Sequence, residues 1–259
     1  MNWSKRTWTE IPKDLADANQ TALLPVGATE QHGPHLATGV DTVIAERLCR
    51  AVAEKTGALM LPTIPYGCSL GHSRRWPGTI ALQPVTLITL VKEIGDWAYY
   101  SGARRLFIVN GHAASGAALQ CALEMLRAEH EDFLVAIIPT AQISEGVRAS
   151  HASDGKSCHA NRAETALTLA IAPEFARIEE ISSADDPDRM TGSVFAHPIH
   201  RTSTNGVTGM PSLATRAEGA ELFIWMIDDL AKLVENGKWE TPPLSRSYFA
   251  SNSHARRTN

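Results

Sequence analysis

The sequence predicts one α/β domain, a three-layer α/β/α arrangement around a mostly parallel central sheet. Short apolar runs alternate with longer amphipathic segments, the pattern of strands joined by crossover helices. A chain of 259 residues, 44% hydrophobic and 20% charged, can bury a full core. No linker composition and no internal repeat divides it.

In chain order, strands are expected at 21–26 (TALLPV), 57–63 (ALMLPTI), 105–110 (RLFIVN) and 133–138 (FLVAII). Helices are expected at 42–56, 85–101 and 114–130, where apolar side chains recur at helical spacing. Beyond residue 140 the pattern loosens into TAQISEGVRASHASDGKSCHANR, then resumes as helices near 161–171 and 212–236. The segment 182–211, rich in Ser, Thr, Gly and Pro, reads as a lid or binding loop. Residues 240–259 read as a tail.

Composition removes several classes of function. With 24 basic against 28 acidic residues the net charge is −4, and neither end carries a basic arm, so no nucleic-acid partner is expected. No apolar run reaches the length of a bilayer span, and the start MNWSKRTWTEIPKDLAD lacks the apolar core of a signal peptide. No membrane association and a cytoplasmic location are therefore expected. Cys49, Cys68, Cys121 and Cys158 form no CxxC pair and read as reduced thiols, Cys49 and Cys121 as core filler. Cys158 directly precedes His159 and is a candidate reactive thiol.

In open parallel sheets, ligands bind beyond the carboxyl ends of the strands. Those positions are rich in metal-ligand types. Glu30, His32, His35 and Asp41 follow the first strand, and His112 follows the third, at the turn of N-G-H. His159 and Glu164 flank the start of another helix. Asp41 also fits a simple N-cap, Glu30 a solvated loop carboxylate, and His112 a helix cap. Taken together, carboxylates and imidazoles without paired cysteines suit one or two ions such as Zn, Mn or Fe. His35 is expected to face away from His32. His72, Arg74 and Trp76 follow the second strand and either border the pocket or merely connect strand to helix. Arg148, Lys156 and Arg162 form either a cationic wall or a solvated loop surface. The tryptophans at 3, 8, 97, 225 and 239 read as core or subunit-contact residues.

LPVGATEQHGPHLATGVDT, GHSRRWPGT, NGH, HANRAET and GVTGMPSLATRAEGAEL, in that order, resemble the successive motifs of the creatininase (creatinine amidohydrolase) family from about residue 21 to 236. The resemblance implies a dinuclear centre of divalent ions, hydrolysis of a non-peptide or cyclic amide C–N bond in a small polar molecule, and a homo-oligomer, frequently a hexamer. By position it implies Glu30, His32, Asp41 and His112 as metal ligands, with Asp41 bridging, and His159 as proton shuttle. The chain departs from the family at N-G-H-A-A-S, where Ala114 replaces a carboxylate ligand of some relatives, and Glu164 is the nearest substitute. Arg162 stands where relatives have glutamate, and no Phe, Trp or Tyr lies between Phe133 and Phe175. Both features point from creatinine towards an anionic amide, held by Arg148, Lys156 and Arg162. Two rival functions are a dinuclear phosphoesterase, using Arg74, Arg75 or Arg162, and a metal-binding regulatory protein without catalysis.

Overall fold

Strand β1 (Thr21–Val26) is buried along its whole length because it lies inside a parallel sheet covered on both faces. The computed structural model describes residues 1–72, 74–190 and 194–244. In it β1, β2 (Leu59–Met60), β3 (Arg105–Asn110) and β4 (Leu134–Pro139) form one parallel sheet in the order β2-β1-β3-β4. Alternate side chains of a strand face opposite ways, so the sheet divides two cores. Leu23, Phe107 and Val109 pack on one face; Ala22, Leu24, Leu106 and Ile108 pack on the other.

The short helix α1 (Ile11–Asp17) precedes the sheet. On the first face lies α2 (Val40–Thr56), through Ile44, Leu48 and Val52. The second face carries α3 (Pro84–Tyr100) and α4 (Gly116–Glu129), through Leu87, Val91, Leu119 and Leu126. The later helices α5 (Glu145–His151) and α6 (Arg162–Ile171) follow β4. The one-turn helices α7 (Ile178–Ile181) and α8 (Ile199–Thr202) then lead to α9 (Arg216–Gly237), which closes the first face beside α2 and α6. The crossover leaving β1 runs over one face and the crossover leaving β3 over the other. A crevice therefore opens between the carboxyl ends of these neighbouring strands, where an open sheet binds ligands.

The second strand is shorter than the expected 57–63. Pro62 and Pro65 have no N–H for a ladder, so only Leu61 and Ile64 continue the bonding, to Leu23 and Pro25 carbonyls at 2.8 and 3.0 Å. Helix α5 lies in the stretch expected to be irregular, started by Ser144, whose side chain accepts from Val147 N–H at 3.3 Å. The segment 182–211 is closed on itself by the bridge Asp186–Gly209 and tied to the body by the bridge His159–Thr208. Of the expected tail, 245–259 lie outside the described residues. Cys121 is exposed, one step off the buried stripe of α4, and Trp8, Trp97, Trp225 and Trp239 are exposed rather than core. Among the described residues no helix is long and apolar enough to cross a membrane.

Helices α6 and α9 touch closely at Gly219, where an added Cβ would overlap the Ala166 carbonyl. Gly219→Ala must therefore push α9 outward, and overpacking of this kind costs about 1–3 kcal/mol. Chemical denaturation of the variant should show that loss. A midpoint equal to the parent's would refute the close contact.

Candidate metal centre

The N-terminus of α2 is tucked between the ends of β1 and β3. A Cβ on Gly27 would strike the Thr42 backbone, and one on Gly111 the Asp41 carbonyl, so only glycine permits this approach. The loop after β1 folds back through Gly33 at φ +67°, and Glu30 N–H donates to the Thr38 carbonyl at 2.8 Å. Gly39 occupies the N-cap of α2, so Asp41 is not the cap; it sits in the first turn with a buried carboxylate. His112 enters directly after β3, its N–H held by the Asn110 side chain at 3.1 Å.

His159 and Glu164 come from the start of α6. Asn161 caps that helix by accepting from Glu164 N–H at 3.2 Å, while Glu164 Oε2 accepts from Ala160 N–H at 2.6 Å. His159 is clamped against Thr208, whose hydroxyl accepts from His159 N–H at 3.1 Å. Its neighbours Cys158 and Ala160 have φ of 47° and 51°, a left-handed conformation unfavourable for side chains with a Cβ. Strain of this kind persists where the surroundings dictate it.

These elements bring Glu30, His32, Asp41, His72, His112, His159 and Glu164 together. Asp41 reaches two imidazoles: Oδ1 lies 3.2 Å from His32 Nε2 and Oδ2 lies 3.2 Å from His112 Nδ1. Glu30 Oε2 lies 3.3 Å from His112 Nε2, while Oε1 lies 3.4 Å from both His72 Nε2 and His159 Nδ1. Glu164 Oε2 lies 3.9 Å from His32 Nε2. Donor atoms of Glu30, His32 and Asp41 lie mutually within 4.8 Å, as do those of His32, His159 and Glu164 and those of Glu30, His72 and His159.

The cluster fits cations. His32 Nδ1 can only donate to the Glu30 carbonyl, 3.0 Å away, so the Nε2 of the neutral ring is a bare lone pair facing two carboxylates. That nitrogen, both Glu30 oxygens and Asp41 Oδ2 are buried without a hydrogen-bond partner. Leaving such atoms unpaired is costly, and a shared cation satisfies them all.

Charge follows the same geometry. Burial opposes a charged His32, but the carboxylates of Asp41, Glu164 and Glu30 together outweigh it and raise the ring to about 10. Burial also disfavours the Asp41 carboxylate, yet His32 and His112 hold it well below the usual range. Burial raises Glu30, against the pull of His112, and raises Glu164 to about 7, against the pull of His32. His72 is pushed by burial to about 3, and burial likewise holds His159 well below the ordinary imidazole value. Both stay neutral at physiological pH.

Of the residues singled out as pocket lining, His72 is buried within the cluster rather than on its border. Trp76 is half-buried beside it, ring centres 6.3 Å apart. Arg74 is exposed. The cationic wall is not assembled. Arg148 is exposed and lies 3.4 Å from Glu145 on its own helix, and Lys156 is exposed. Arg162 pairs with Glu218 of α9 at 3.0 Å. It is two positions from Glu164 on α6, about 200° around the helix, so one faces α9 when the other faces the cluster. His35 turns away, its Nε2 on the Thr165 hydroxyl at 2.9 Å. Sequence reasoning missed Gln31 and Ser69, whose hydroxyl lies 3.3 Å from His112 Nε2. Gln31 sits between two candidate ligands in E-Q-H, but a neutral side chain offered no metal-ligand signal.

A parallel α/β sheet carrying a carboxylate–imidazole cluster at its switch point defines the class. The family model for Creatininase, described as creatinine amidohydrolase, matches residues 4–234, and the chain belongs to the creatininase family of hydrolases. A mycofactocin precursor peptide peptidase of Mycobacterium ulcerans (strain Agy99) is 34% identical over 246 residues, 91% of this chain and 92% of that one. Creatinine amidohydrolase of Pseudomonas putida is 28% identical over 92% of this chain and 96% of its own. A solved creatininase superposes with TM-score 0.80 at 27% identity, covering 93% of this chain and 98% of that one. Other solved creatininases at 26% identity and TM-score 0.80, each covering 92% of this chain, include a mutant of Zn–Zn type, covered over 98% of its length, and a manganese form, covered over 99%.

Cys158 is not poised as a nucleophile. Burial and the neighbouring Glu164 carboxylate push its thiol up to about 11, and its Sγ–H points at the Gly155 carbonyl, 3.4 Å away. At pH 8 its thiolate fraction is then on the order of one in a thousand, against about a quarter for an ordinary thiol. Iodoacetamide should label exposed Cys121 well before Cys158, as peptide mass mapping would show. Preferential labelling of Cys158 would contradict the assignment.

Proposed function

We propose that this protein is a metal-dependent amidohydrolase that cleaves an amide C–N bond with two divalent ions bound in the cluster. The observation that carries the reading is the group of buried, unpartnered donor atoms of Glu30, His32 and Asp41. Glu30, His112 and Asp41 would hold one ion, and His32, Asp41 and Glu164 the other, with Asp41 common to both. Glu164 then supplies the carboxylate that Ala114 cannot. Ions bound there would acidify water and polarise an amide carbonyl.

The remaining chemistry falls to the chain. An amide nitrogen leaves poorly without a proton, and His159 faces the cluster through Nδ1, beside Glu30. A neutral imidazole so placed accepts a proton from the attacking water and returns it to the departing nitrogen, worth roughly a hundred- to ten-thousand-fold. Burial keeps the ring neutral and so ready to accept. Family membership supports amide over phosphate ester. With Arg148 and Arg162 engaged by glutamates elsewhere, no anionic requirement is placed on the substrate. The M. ulcerans relative is named for a peptide, so peptide amides join cyclic amides in the substrate class.

Metal analysis tests the centre. Asp41→Ala should lose both ions, whereas His32→Ala should lose mainly one; full occupancy in Asp41→Ala would refute the shared carboxylate. His159→Asn should keep both ions while kcat falls by roughly a hundredfold or more. Loss of an ion equivalent from that variant would make His159 a ligand. Metal-loaded enzyme assayed on creatinine, other lactams, short peptides and phosphate esters should turn over amides alone.

A further inference from the structure

Gln31 is buried between His72 and His159, and its contacts fix the polarity of everything around it. Its Oε1 lies 2.9 Å from the Gly33 backbone N–H, which can only donate. Its Nε2 lies 3.1 Å from the Gly206 carbonyl, which can only accept. Two backbone groups of opposite polarity thus settle the orientation of the amide, which coordinates alone leave ambiguous.

The consequence reaches both rings. The second N–H of the Gln31 amide points to His72 Nδ1 at 2.9 Å, so that nitrogen must accept. A neutral His72 then carries its proton on Nε2, the atom facing Glu30 Oε1 at 3.4 Å. For His159 the main chain of Gln31 decides: its carbonyl lies 2.9 Å from His159 Nε2 and can only accept. His159 is therefore also protonated on Nε2, but it turns the other end, bare Nδ1, to Glu30 Oε1 at 3.4 Å. With both protons of the amide used by Gly206 and His72, its approach to His159 Nε2 at 3.0 Å adds no competing bond.

We infer that Gln31 is a positioning residue that presents opposite ends of two imidazoles to Glu30, the Nε2–H of His72 and the bare Nδ1 of His159. His72 then turns a protonated nitrogen, not a lone pair, towards the Glu30 carboxylate 3.4 Å away. Its cluster with Glu30 and His159 is not a third metal site, since the nitrogen facing inward carries a proton. His159 keeps the only lone pair of the two. For rings that carry one proton the tautomers follow from geometry; their bearing on catalysis rests on the amidohydrolase reading.

Histidine-15N-labelled, zinc-loaded protein tests the inference by long-range 1H–15N correlation, which separates the tautomers, with resonances assigned through His72→Asn and His159→Asn. Both rings should appear protonated on Nε2. Gln31→Glu removes the donor to His72 but keeps the main-chain carbonyl, so His72 should move its proton to Nδ1 while His159 stays unchanged. Metal content should hold, and kcat should fall about ten- to a hundredfold, the usual cost of losing an outer partner. Should Gln31→Glu not fold, Gln31→Met should abolish the Nε2–H preference of His72 alone, and the parent spectrum remains decisive. Either ring protonated on Nδ1 in the parent, or a His72 signal indifferent to both substitutions, would overturn the inference. These spectra do not depend on turnover, so an inactive preparation with the expected tautomers would count against the amidohydrolase reading only.

Discussion

The structure is organised around a concentration of buried polar atoms without hydrogen-bond partners. Glu30 and Asp41 bring carboxylates into the crevice between β1 and β3, where desolvation disfavours charge. The groups opposite them are imidazoles held by carbonyls, as His32 is by the Glu30 carbonyl. Such an arrangement is expensive in an apolar interior unless cations complete it. Much of the local backbone serves to enforce it: the close approaches at Gly27 and Gly111, and the left-handed residues either side of His159.

The sheet makes this enforcement possible. Residues following β1 and β3 converge because these strands are neighbours whose crossovers leave on opposite faces. The loop after β1 supplies Glu30 and His32 and the first turn of α2 supplies Asp41, while the capped start of α6 delivers His159 and Glu164. Glu164 serves twice there, as the residue that satisfies Ala160 N–H and as a carboxylate near His32. A relative that supplies its carboxylate from the N-G-H turn would not need that second use.

Strands and helices were legible wherever apolar periodicity was strong, because burial on both faces leaves a continuous apolar run such as TALLPV. The short second strand was overextended, since Pro62 and Pro65 limit pairing in a way hydrophobicity does not register. Ligand types were legible because carboxylates and imidazoles after strand ends are chemically conspicuous. The depth of His72 was not, since it depends on how the loop after β2 folds over Glu30. Arg162 looked like pocket lining by its closeness to Glu164 in sequence, but helical geometry sends it to Glu218. Gln31 was overlooked for the reason that makes it useful: its work lies in the polarity of its hydrogen bonds, and a neutral amide announces none of that in a sequence.

The central proposal is that Asp41 is common to two ions, and anomalous scattering from crystals of the metal-loaded protein tests it most directly. The account predicts two anomalous peaks, one on each oxygen side of Asp41, the first contacting Glu30 and His112 and the second His32 and Glu164. A single peak, or a second ion that leaves Glu164 uncoordinated, would contradict it.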